Sequence, residues 1–97
     1  MRVELITFEG CPHAAAARTN VRTALSAAGL SLPLDEWDRE SAAAPAYTRR
    51  YPSPTVLVNG RDVSAETGGT RLTEAAAACR AGGAPSVAAI LVALRAP

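Results

Sequence analysis

Aromatic rings, cysteine and net charge are all scarce in this chain of 97 residues. Aromatics make up 4% of it, so no core can be built on large rings and packing must rest on a few Val, Leu and Ile positions. The formal net charge is +1, with 20% charged residues. That balance creates no strong field of one sign and argues against nucleic acid or an anionic membrane as partner. No apolar run approaches the roughly 20 residues that span a bilayer. The longest, Val87 to Leu94, reads as the core stripe of a helix. The leading Met1-Arg2-Val3-Glu4-Leu5 carries an acid where a secretion signal needs an unbroken apolar stretch. The expectation is a cytoplasmic protein. There, two cysteines point to free or redox-cycling thiols rather than to a structural staple. Repeats, low-complexity linkers and long charge blocks are also missing. What is present is 48% hydrophobic residues, much of it alanine, enough for one compact domain over residues 1–97.

Val3-Glu4-Leu5-Ile6-Thr7-Phe8 is a β-rich run closed by Glu9-Gly10 and predicts a buried strand. Pro12 to Ala28 predicts a helix, with Ala14, Ala17, Val21, Leu25 and Ala28 on one stripe and Gly29 as a left-handed stop. Leu32 to Asp38 predicts a second strand of ambiguous faces, ragged or at an edge because of Pro33. Ser41 can cap a short helix over Ala42 to Arg50, with Pro45 tolerated in its first turn. Pro52 and Pro54 end it. Thr55-Val56-Leu57-Val58 is a third strand, Asn59-Gly60 a hairpin turn, and Arg61 to Ser64 the returning strand. Residues 65–84 hold two Gly-Gly pairs and one helical turn over Thr73 to Arg80, and read as an extra loop. Ser86 caps a final helix whose buried face is Val87, Ile90, Leu91 and Leu94. The predicted order is β-α-β-α-β-β-α. It makes an α/β fold with a four-stranded mixed sheet covered by helices on both faces.

Cys11 stands directly before the first helix. The unpaired N–H groups and the dipole of a helix N-terminus favour a thiolate, the form that attacks disulfides and binds soft metals. His13, two residues on, can add positive charge or a hydrogen bond, whereas Glu9 opposes the anion if it points inward. Cys11 would otherwise be a small, inert core residue, and His13 an ordinary surface residue. The strand directions also bring the loop after the hairpin back to the edge of the sheet that carries Cys11. Cys79 in that loop is therefore a candidate resolving thiol or second soft-metal ligand, with Arg80 beside it favouring its thiolate. It could equally be a buried, alanine-like helix residue. Two cysteines and one histidine do not make a structural zinc site, but two thiolates suit Cu(I) or Hg(II). Asp35, Glu36, Asp38, Arg39 and Glu40 read as a solvated strand end. Arg49 and Arg50 read as a basic last helical turn, or as a seat for the carboxylates of an anionic thiol cofactor.

The element order, with Phe8-Glu9-Gly10-Cys11-Pro12-His13 and Ser53-Pro54-Thr55-Val56-Leu57-Val58-Asn59-Gly60, resembles the thioredoxin-like superfamily. More narrowly, the chain resembles the small bacterial thioredoxin-like proteins grouped beside alkylmercury lyases. The resemblance implies a cis peptide bond at Ser53-Pro54, in a loop that faces the cysteine. Pro12, Ser53, Pro54 and Thr55 would then contact an extended substrate, as an added strand does. It also implies thiol–disulfide exchange, with Cys11 as nucleophile, His13 in support, and Cys79 or an external low-molecular-weight thiol resolving. The partner would be a protein or small-molecule disulfide, with no resident cofactor. One departure is plain: Ala14 stands where a Cys-x-x-Cys motif has its second thiol. Two other expectations stay open beside this one. One is soft-metal or organomercurial handling by Cys11 and Cys79, and the other is an interaction module that has lost the chemistry.

Overall fold

The computed structural model describes residues 1–64 and 84–95. Cys79, Arg80 and the rest of the expected extra loop up to residue 83 lie outside the described residues. Three elements open the chain: strand β1 (Val3–Thr7), helix α1 (Ala14–Ala27) and strand β2 (Leu34–Asp38). A 3-10 helix over Ala46–Arg50 follows, then the hairpin of β3 (Thr55–Val58) and β4 (Arg61–Asp62), and finally helix α2 (Val87–Arg95). The four strands form one sheet in the order β2-β1-β3-β4. β1 pairs parallel to β2 and antiparallel to β3, and β3 pairs antiparallel to β4. The mixed α/β sheet expected from the sequence is therefore present.

Alternation along β1 separates two faces. Val3 and Leu5 point to the side where Val56 and Val58 of β3 lie, and there they pack with Ala17, Val21, Ala24 and Leu25 of α1 and Ile90 and Leu94 of α2. Both described α-helices thus cover the same face. Glu4 and Ile6 point to the other face, together with Trp37, Thr55 and Leu57. That side is reached by the 3-10 helix, whose Tyr47 hydroxyl donates to the Glu4 carboxylate.

The expected α-helix over Ala42 to Arg50 is the main correction. Ser41 closes only a local turn, accepting from Ala43 N–H at 3.1 Å through its hydroxyl and from Ala44 N–H at 3.2 Å through its carbonyl. Pro45 is extended (ψ 148), and its ring disfavours the helical region for the residue before it. Helical geometry restarts only after it, in the tighter 3-10 form. Helices of α type on both faces are accordingly not what the described residues form. α1 also starts later than expected: Pro12 precedes it and His13 is its N-cap. At its other end Gly29 adopts φ 71, as the left-handed stop requires. β2 begins at Leu34, beyond Pro33, and β4 is two residues long. The Asn59-Gly60 turn has φ 52 and φ 82, the positive values of a tight hairpin turn, which glycine adopts without a Cβ clash. Ser86 caps α2 as expected, its hydroxyl accepting from Ala89 N–H at 3.0 Å.

Candidate functional site

β1 delivers the chain to the edge of the sheet at Thr7, and a tight loop follows. Gly10 takes φ 87, which lets the chain turn back so that Cys11 N–H donates to Phe8 carbonyl at 3.2 Å. Ala14 N–H then donates to the Cys11 carbonyl at 3.2 Å, so Cys11 stands at the mouth of α1. The His13 N-cap makes no side-chain capping bond and the first turn of α1 holds no acid. Nothing negative in that turn competes with an anion at the helix N-terminus. Pro12 and His13 are exposed, but Cys11 is only 8% exposed. Burial acts against the dipole, because it raises the pKa of a thiol.

The third strand begins at the same edge. Ile6 pairs with Thr55, so the residues before β3 lie beside Thr7 and Phe8. Phe8 N–H donates to the Ser53 hydroxyl at 3.3 Å, which ties the cysteine loop to the segment before β3. The Ser53–Pro54 peptide bond is cis. Ser53, Pro54 and Thr55 are all buried, and the Thr55 hydroxyl donates to the Pro52 carbonyl. Their side chains are thus committed to the fold.

The described structure brings Cys11, Pro12, His13, Ser53, Pro54 and Thr55 to one edge of the sheet. Cys79 lies outside the described residues, so its meeting with Cys11 and the shared metal site of that pair are not described either. Among the described residues no cluster of three His, Cys, Asp or Glu side chains is arranged to hold a metal ion. No described helix is long and apolar enough to cross a membrane. A recess on α1, lined by Thr19, Arg22, Thr23 and Ser26, lies toward the helix C-terminus and so away from Cys11.

The charge cluster of β2 and the turn after it keeps its acids at least partly in solvent, and departs from the expected solvated strand end at Arg39. Asp35 pairs with Arg2 at 3.1 Å and Glu36 with Arg18 of α1 at 2.6 Å, so these acids staple elements together. Arg39 is not solvated at all: it is 5% exposed. Its backbone N–H extends the ladder to Thr7 carbonyl at 2.7 Å, and its guanidinium runs under the 3-10 helix to donate to Arg49 carbonyl at 2.6 Å. Arg49 in turn donates to Ser41 carbonyl at 3.2 Å, while Arg50 is exposed. Sequence reasoning missed Arg39 because its polar neighbours Asp38 and Glu40 read as solvated, and only the fold lays the 3-10 helix over its guanidinium. It missed Glu4 as well, although an acid inside Val-Glu-Leu-Ile was a visible signal. Glu4 is 3% exposed and accepts from Trp37 Nε1 at 2.9 Å and from the Tyr47 hydroxyl, with Arg2 at 3.5 Å.

No family model, no curated protein and no solved structure matches the chain.

Proposed function

We propose that the chain is a thioredoxin-like thiol–disulfide exchange protein that uses Cys11 as its nucleophile. The observation that carries this reading is the tie between two loops. The loop that presents Cys11 at the start of α1 is hydrogen-bonded through Phe8 to Ser53, in the segment that leads into β3. A partner chain lying along that segment would bring its disulfide to the cysteine. The Cys11 thiolate attacks one sulfur of the disulfide, a new S–S bond forms to Cys11, and the other sulfur leaves as a thiolate that takes up a proton. A second thiol then attacks this mixed disulfide: attack at the Cys11 sulfur forms a new S–S bond to Cys11 and releases the substrate thiolate, and attack at the substrate sulfur forms a new S–S bond there and releases the Cys11 thiolate. Ala14 rules out the usual neighbour for that step, so the resolving thiol is Cys79 or an external low-molecular-weight thiol. His13, exposed beside Cys11, supports the thiolate by charge when protonated. A soft-metal site would need Cys79, and no observation at Cys11 favours that reading over exchange.

The rate of iodoacetamide alkylation of Cys11, followed against pH, tests the proposal. A thiol pKa below the free reference of about 8.5 is expected, with the helix N-terminus outweighing burial. A value at or above that reference, or a thiol that does not react in the folded protein, overturns it.

A further inference from the structure

We propose that Asn59-Gly60 is a site of spontaneous deamidation that the start of β1 keeps closed, so that release of that strand end starts the modification. The inference is independent of the thiol chemistry of Cys11. Asparagine before glycine is well suited to this reaction, because glycine has no side chain to hinder attack by its own amide nitrogen. The Gly60 nitrogen gives up its proton and attacks Asn59 Cγ. A C–N bond forms, the side-chain amide leaves as ammonia, and a five-membered succinimide remains. Water then opens that ring at either carbonyl, giving aspartate or isoaspartate, with no change of oxidation state. Asn59 and Gly60 are both exposed, so water has access to the turn.

The fold holds the two reacting groups apart. Beyond Val3 and Val58, Arg2 and Asn59 make the next step of the antiparallel β1–β3 ladder. Asn59 N–H donates to the Arg2 carbonyl at 2.8 Å, as a paired strand residue does. The return bond runs from Arg2 N–H to the side-chain Oδ1 of Asn59 at 3.0 Å. The side-chain amide thus stands in for a backbone carbonyl where Asn59, at φ 52, turns out of the strand. It is thereby held toward β1. Gly60 leads the other way, into β4, which lies across β3 from β1. Ring closure needs Cγ to swing from the β1 side to the Gly60 nitrogen, so the bond from Arg2 must break first. Strand ends open locally far more often than a whole fold unfolds, and opening at Arg2 is enough. Asn20, the chain's other asparagine, sits inside α1 before the β-branched Val21 and donates to the Pro85 carbonyl, which makes it an internal control.

The test is the rate of deamidation at Asn59 in the full chain, incubated near neutral pH and read by peptide mapping that separates aspartate from isoaspartate. The folded parent is expected to convert at least about tenfold more slowly than the same chain unfolded in guanidinium chloride, since reaction proceeds through the open form. Arg2→Pro removes the N–H donor and keeps the carbonyl that pairs with Asn59 N–H. It is expected to raise the folded rate about three- to tenfold, the worth of one hydrogen bond. Arg2→Ala keeps both backbone groups, loses only the guanidinium contacts to Glu4 and Asp35, and is expected within about twofold of the parent rate. Equal rates in the folded and unfolded parent overturn the proposal. A folded Arg2→Pro protein that converts at the parent rate overturns the part played by the Arg2 bond, and so does an Arg2→Ala protein as fast as Arg2→Pro. If Arg2→Pro does not fold, the parent is followed in rising denaturant below its unfolding transition. Conversion that tracks hydrogen exchange of the Arg2 amide supports the proposal, and conversion that begins only with global unfolding overturns it.

Discussion

Glu4 shows how one side chain can join both layers of this small protein. A carboxylate taken out of water is costly unless its oxygens are paired. Here the indole of Trp37, the hydroxyl of Tyr47 and the guanidinium of Arg2 all converge on it. Tyr47 feels the same contact. Burial first, and then its hydrogen bond to Glu4, push the phenol above its ordinary value of 10.0. A raised folded pKa means that the folded state holds the proton more tightly. The stabilisation is therefore fully present below pH 10.0 and is lost as the pH rises through the higher folded value. Titration of tyrosinate absorbance in the folded protein should show Tyr47 ionising above that value. Glu4→Gln removes the carboxylate charge and should bring the step back down. An unchanged step in that variant would mean that burial alone holds Tyr47. Arg39 was not legible in the sequence for a related reason. Its neighbours Asp38 and Glu40 are polar and chain-local logic groups it with them, yet burial was decided by a helix seven residues further on.

Elements whose signals are local were legible at their true positions. Thr55 to Val58 is a strand, Asn59-Gly60 turns it, and Ser86 starts α2, because β-branching, turn chemistry and capping each act within a few residues. The segment after Ser41 was misjudged because a capping serine and a run of alanines favour a helix, while Pro45 disfavours it from within. Ser86→Ala removes the acceptor for Ala89 N–H and should cost about 1 kcal/mol, read as a lower thermal midpoint with the Cys11 alkylation profile unchanged. A loss well beyond that would mean that Ser86 does more than cap. The link from Asn20 to the Pro85 carbonyl at 2.9 Å then fixes the start of α2 against α1. That contact joins residues far apart in the chain and left no mark in the sequence.

At the scale of the whole molecule, the central question is how far Cys11 acts with a partner from its own chain. β1 and β3 meet with their ends at one edge, and that registry puts the cysteine loop beside Ser53. Intact mass after alkylation, with and without prior oxidation, reads out the resolving thiol. Loss of about two hydrogens identifies a bond between Cys11 and Cys79. With a small-molecule disulfide as the oxidant, a gain of one small thiol less two hydrogens identifies a Cys11 adduct for an external thiol to resolve. One of the two is expected, and a mass unmoved by oxidant would defeat the exchange reading.

The sequence by itself determined the strands, the hairpin, both α-helices and the place of Cys11 before α1, since each depends on side chains within a turn or two of chain. It also determined that Ala14 leaves the cysteine without a neighbouring thiol. Only the tertiary structure decided that both α-helices share one face of the sheet, that Glu4 is buried among Trp37, Tyr47 and Arg2, and that Arg39 lies beneath the 3-10 helix. Burial and pairing of a charge depend on segments brought together by folding, and no local pattern in the chain records which segments those are.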